Sequence, residues 1–164
     1  MQMSFREFFQ GQHNRRFLPQ VFVNFALSIS CAIIVVLAVA AIERAAPPAL
    51  LAAEAPDIGP LGLLSLFGIA GVSPQIETLM LAGLLRILSW LKLSFFQSAL
   101  LSGTLWGLGH GMFDLPSFFS AGSAFFVFSC AYLSWRRRSF FLALAAAAIP
   151  HMMQNSIVWG LTHI

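Results

Sequence analysis

The run from Val21 to Ile42 carries no charged residue and is about 22 residues long, enough for a helix to cross a hydrocarbon core roughly 30 Å thick. Inside a bilayer no water is present to bond the backbone, so such a run is restricted to a structure that satisfies its own N–H and C=O groups. Spanning strands are only about 9 to 11 residues long, which leaves the helix. The remaining sequence obeys the same constraint: of 164 residues 59% are apolar and 9% charged, a composition that excludes an ordinary soluble enzyme. The expected fold is all-α, a polytopic membrane helix bundle of about five transmembrane helices plus a short re-entrant or interfacial segment.

Residues 1–19 read as a basic arm with Arg6, Arg15 and Arg16, and residues 20–42 as the first transmembrane helix. A cleaved signal peptide shares the form of basic arm plus apolar run, but its core is usually only about 7 to 15 residues. Residues 43–72 read as an external linker and short apolar segment. Pro47, Pro48, Pro56 and Pro60 forbid a regular helix in its first part, and Ile58 to Val72 is only about 15 residues long, short for a span. Residues 73–164 form the remaining core, with helices expected at about Pro74–Leu91, Leu93–Phe113, Leu115–Trp135 and Ser139–Leu161. Ser73 is a plausible cap with Pro74 in the first turn, and Pro150 predicts a kink or freed carbonyls ahead of His151. Cys31 and Cys130 lie within apolar segments and suggest neither a disulfide nor a zinc motif.

Basic clusters favour the cytoplasmic side. With a cytoplasmic N-terminus and a non-crossing Ile58–Val72, five crossings place Arg86, Lys92 and Arg136 to Arg138 inside and the C-terminus outside. Were Ile58–Val72 to cross, the Arg136 to Arg138 cluster would fall outside. The net charge of +3 is dispersed in short clusters without aromatic interleaving, which argues for topology and against nucleic acid as a partner.

Against this background one acid stands out. Glu77 lies inside an expected span, and an ionisable group at that depth costs about 2.5 to 3.5 kcal/mol on insertion scales, so its default reading is functional with a partner nearby. The five-crossing topology puts Glu77 and His110 each about three residues from the outer end of a helix, roughly 5 Å deep. His151 and Asn155 fall about ten and six residues from the outer end of the last helix, and as i and i+4 they share a face. A partly desolvated carboxylate is suited to act as general base on water. Imidazole and carboxamide groups are suited to orient that water and stabilise an oxyanion. Each group also has an ordinary reading: His110 as a packing residue among the glycines of GLGHGMF, Asn155 as a hydrogen bond tying helices, and Trp90, Trp106, Trp135 and Trp159 as core or interface anchors.

At these residues the sequence resembles the CPBP family of intramembrane proteases, which includes CAAX-processing endopeptidases and bacteriocin-processing or immunity proteins. The family pattern is Glu-Glu-x-x-x-Arg, then Phe-x-x-x-His, then His-x-x-x-Asn or Asp on successive helices. SPQIETLMLAGLL is similar to the first with its leading Glu at Glu77, WGLGH (Trp106 to His110) to the second with Trp for Phe, and HMMQN (His151 to Asn155) to the third. Thr78 and Ala82 depart from the pattern, standing where the family has its second Glu and its Arg. The resemblance covers about Ser73 to Leu161. It implies a glutamic-type protease in which Glu77 activates water, His110 assists, and His151 and Asn155 hold the oxyanion. It further implies a membrane-anchored protein substrate, no cofactor, and a bacterial cytoplasmic membrane. A site toward the outer face is similar to that of dedicated proteases that remove C-terminal sorting tails.

Two other functions fit the same residues. One is a zinc-dependent protease with Glu77, His110 and His151 as ligands, although no HExxH pair is present. The other is a non-catalytic membrane binding or immunity protein in which the polar cluster only ties helices together.

Overall fold

The computed structural model describes residues 16–45, 63–112 and 115–161. The arm up to Arg15, the proline-rich stretch 46–62, Asp114 and His163 lie outside them. Among the described residues the fold is all-helical: α1 (Phe17–Ala45), α2 (Leu63–Trp90), α3 (Phe95–His110), α4 (Leu115–Trp135) and α5 (Phe140–Leu161). Helices α1, α2, α4 and α5 are long and apolar enough to cross a membrane, which is the character of an integral membrane protein. Helix α3 has 16 residues, about 24 Å at 1.5 Å per residue, and falls short of the roughly 30 Å a crossing needs.

The main departure from expectation is in α2. Leu63 to Val72 is not a separate re-entrant piece but the first part of one helix that continues to Trp90. Pro74 ordinarily breaks a helix, because its ring clashes with the carbonyl four residues back and its nitrogen donates no hydrogen bond. Here Phe67–Val72 is wound as a π-helix, in which the Ser73 N–H reaches the Gly68 carbonyl five residues back. The wider turn accommodates the proline, so Ser73 caps nothing and its hydroxyl is released for another use.

The other ends shift less. Helix α1 starts at Phe17, earlier than expected, with Pro19 tolerated in its first turn, and it ends at Ala45, past Glu43. Helix α3 opens on a capping box: the Ser94 hydroxyl accepts from the Gln97 N–H while the Gln97 side chain accepts from the Ser94 N–H. The turn before it is closed by Lys92 with φ 53°. Helix α5 runs unbroken through the buried Pro150.

The helices pass up and down one bundle, with α4 at the centre: 50% of its spanning window is buried, against 6% for α1. Phe17 of α1 packs edge-on against Trp135 at the far end of α4, at 5.2 Å between ring centroids. The Arg138 guanidinium lies 5.0 Å over the same Trp135 ring. Arg86 and Arg136 both lie near enough to Tyr132 to act on it electrostatically. The start of α1, the α2–α3 turn and the α4–α5 turn therefore share one end of the bundle, and that end is basic. Helix α1 docks through a polar stripe absent from the sequence reading: Gln20, Asn24 and Ser28 are buried on one face, with the Gln20 amide donating to Asn24 Oδ1 at 3.2 Å.

Helices α3 and α4 pack most closely. A Cβ at Gly103 would stand 2.6 Å from the Gly122 carbonyl oxygen, and one at Gly107 would stand 2.8 Å from that of Phe118. This is the small-xxx-small contact that draws membrane helices together, reinforced by the Ser129 hydroxyl donating to Ser102 at 2.9 Å. Gly103→Ala is therefore expected to destabilise by about 1 to 3 kcal/mol through overpacking against backbone. Gly83→Ala, with nothing within 4 Å of its Cβ, is expected to be neutral or to gain up to about 1 kcal/mol. Unfolding of both variants in detergent checks this contrast.

Candidate functional site

At the end of the bundle opposite the basic turns, α2, α3, α4 and α5 line a half-open cavity of about 220 Å³. Its lining includes all four residues singled out from the sequence: Glu77, His110, His151 and Asn155. Residues expected at several depths in one half of the membrane thus meet in one space, although Asn155 proves to be engaged differently from the rest.

Glu77 is half-buried on α2. The Ser73 hydroxyl, one turn before it on the same face, donates to Glu77 Oε1 at 2.5 Å, a short bond of the charge-assisted kind. Its other oxygen, Oε2, lies 3.7 Å from Nε2 of His151. That separation is too long for a hydrogen bond and too short to admit a bridging water, but it is within ion-pair range.

His151 is 5% exposed. Its ring is fixed by two aromatic faces of α4, stacking on Phe128 at 4.8 Å and meeting Phe125 edge-on at 5.2 Å. Its Nδ1 is buried with no hydrogen-bond partner. His110, in the last turn of α3, donates from Nδ1 to the Trp106 carbonyl four residues earlier at 2.9 Å. A carbonyl only accepts, so in the neutral ring the lone pair sits on Nε2. Trp106 in turn stacks flat on Phe125, 4.2 Å apart and 7° from parallel, and His110 lies 5.7 Å from the same ring. Phe125 is thus the shared wall against which both imidazoles are set.

Asn155 holds the broken helix together. In the π-helical register the Ile69 carbonyl would accept from the N–H of residue 74, and Pro74 has none. Asn155 Nδ2 takes that place, donating to the Ile69 oxygen at 3.0 Å. An antiparallel ladder of further contacts joins the same two helices: Trp159 Nε1 donates to Ser65 Oγ at 3.2 Å, and Gln75 Nε2 to Met152 Sδ at 3.4 Å.

Sequence reasoning missed Gln154 and the hydroxyl of Ser73. Gln154 lines the cavity, is 8% exposed, and its Oε1 is buried without a partner. The signal for both was helical spacing: Gln154 is i+3 from His151, and Ser73 is i−4 from Glu77. Also missed was the α4 wall of Ser117, Ser120, Ala121 and Ala124, small residues at i, i+3, i+4 and i+7 that leave the space open. Among the described residues no three His, Cys, Asp or Glu side chains are grouped closely enough to hold a metal ion, and Glu77, His110 and His151 are no exception.

Chemically the cavity offers a carboxylate braced by a hydroxyl, one imidazole with an available lone pair, and a second imidazole beside the carboxylate. Compared with known proteins, the sequence matches no family model, no curated protein and no solved structure.

The Asn155 contact makes a sharp prediction. Asn155→Leu is expected to cost about 1 to 3 kcal/mol by leaving the Ile69 carbonyl unsatisfied. In a Pro74→Ala background, which restores a backbone N–H, the same change is expected to cost less. A double-mutant cycle on unfolding in detergent should give a coupling of at least about 0.5 kcal/mol, and additivity would refute the assigned role.

Proposed function

We propose that the protein is a glutamic-type intramembrane endopeptidase that hydrolyses a peptide bond of a membrane-anchored protein near one membrane face. The observation that supports this best is the meeting of Glu77, His110 and His151, from three separate helices, around one cavity inside an apolar bundle. Unpaired polar groups at such a depth are costly, and mere helix-tying needs neither a carboxylate nor two imidazoles.

In the proposed reaction Glu77 removes a proton from a water molecule oriented by the His110 Nε2 lone pair. The water oxygen bonds to the carbonyl carbon as the C=O electrons move onto oxygen, and the neutral His151 ring, with its proton on Nε2, faces the resulting oxyanion. Collapse breaks the C–N bond, and the proton held by Glu77 passes to the leaving nitrogen, so that one water is consumed and two new termini are formed.

The CPBP resemblance agrees with the roles of Glu77, His110 and His151 and differs over Asn155, whose amide is bonded to Ile69; its two departures in sequence are physically consistent with each other. Family Glu and Arg at positions 78 and 82 would be i, i+4 neighbours able to pair. Here Thr78 and Ala82 are 2% and 5% exposed, so both charges are absent together and neither is stranded in the core. With the basic end of the bundle cytoplasmic, the cavity opens in the outer half of the membrane and the C-terminus is external. Helix α3 then makes a fifth, short traverse from the Lys92 turn to the cavity. That placement suits removal of a C-terminal sorting tail better than processing from the cytoplasm.

One observation favours a second reading, a non-catalytic binding or immunity protein: the Asn155 amide serves helix packing. The two separate experimentally. On co-expression with a single-span protein bearing a sorting tail, Glu77→Gln and His110→Ala are each expected to lower cleavage by about 100-fold or more while membrane accumulation is unchanged. Wild-type function in Glu77→Gln would establish the non-catalytic role instead.

A further inference from the structure

Two carboxamides lie side by side on α5, and they differ in what they are bound to. Asn155 is committed through Nδ2 to the Ile69 carbonyl, which the π turn and Pro74 leave without a backbone donor. Gln154 is buried at 8% exposure, lines the cavity, and has its Oε1 enclosed without any partner. A buried acceptor left in that state is costly, and the cost is removed when a bound molecule supplies the donor. The wall it shares the cavity with is built from Ser117, Ser120, Ala121 and Ala124, side chains small enough for a peptide backbone to approach.

We infer that Gln154 is the peptide-binding residue of this cavity: its carboxamide pairs with the backbone amide of an extended substrate segment lying along the small-residue wall of α4, and Asn155 positions α2 without touching substrate. A carboxamide carries one acceptor and an NH₂ donor, the same complement as a peptide group, so one side chain can serve a backbone N–H, a backbone C=O, or both in turn. Recognition of this kind reads backbone and free volume and not the charge of substrate residues. It selects for small residues at the position opposite Ala121. The inference rests on the peptidase reading for its substrate class, but binding and hydrolysis are read separately.

The test is a titration of the full-length, ¹⁵N-labelled protein in detergent micelles with N-acetyl-alanyl-alanine N-methylamide, following side-chain amide resonances. A saturable shift of the Gln154 amide, with the Asn155 amide unmoved, is the expected result. A shift at Asn155 with none at Gln154, or no saturable shift at either, overturns the inference. Gln154→Met, close in size and without hydrogen-bonding groups, is expected to weaken probe binding at least tenfold with the unfolding temperature unchanged or raised, since the unpartnered acceptor is removed. Ala121→Leu is expected to abolish binding by filling the wall. If Gln154→Met does not fold, the wild-type titration still decides. Binding at Gln154 in a protein that cleaves no sorting tail would leave this inference standing and remove the peptidase; cleavage with Gln154 unmoved would do the reverse.

Discussion

The arrangement depends on one carbonyl. In water, the Ile69 oxygen could be satisfied by solvent, and no protein partner would be needed. Within an apolar bundle every backbone group has to find a protein partner, and Asn155 supplies it across the α2–α5 interface. This hydrogen bond lets a proline sit in the middle of a 28-residue helix and also fixes the two helices in register. With Ile69 held opposite Asn155, the antiparallel course of α2 and α5 carries Glu77 to His151, two α2 turns further on. The ion-pair distance at the site is therefore a consequence of how a backbone defect is repaired.

The second imidazole is placed by different means. Its helix, α3, is too short and too uniform in hydrophobicity to find its own orientation, but Gly103 and Gly107 allow it to lie against α4 at backbone contact. That closeness sets Trp106 flat on Phe125 and brings His110, one turn later, beside the same ring. Phe125 touches both histidines and lines the cavity, so a residue with no ionisable group determines how the ionisable ones are disposed. The fold delivers the carboxylate and one imidazole by hydrogen bonding and the other imidazole by steric fit.

Much of this was legible beforehand, and the parts that were not share a cause. Run lengths located α1, α4 and α5 to within a few residues, because the bilayer fixes what a span must look like. Glu77, His110 and His151 were legible because ionisable groups are rare at membrane depth, and counting residues from helix ends put all three in the same half of the membrane. Such counting is one-dimensional, however. It gives depth and not direction around the helix axis, so it could not tell that of the two carboxamides lining the cavity Asn155 is bonded to Ile69 while the Gln154 Oε1 is left without a partner. The joining of Leu63–Val72 to the helix beyond it was hidden for a related reason: a proline forbids an α-turn but not a wider one, and a change of winding leaves no mark in composition. Gln20, Asn24 and Ser28 were overlooked because three neutral polar residues barely lower the hydropathy of so apolar a run.

Helix α1 is buried most deeply toward its basic end, and only half-buried residues such as Cys31, Val35 and Val39 continue that face along its second half. Its first half is anchored at the basic end by Phe17, Gln20, Val21 and Asn24, whereas Ile33, Ile34, Val36 and Leu37 in its second half are each more than half exposed. The bundle is accordingly five helices thick at its basic end and four around the cavity. In a bilayer, lipid tails border the exposed face of this half of α1, so its surroundings are set partly by the membrane. Bilayer thickness and fluidity then bear on how this part of the helix lies, and the second half of α1, with the smaller buried face, bends at lower cost than the first.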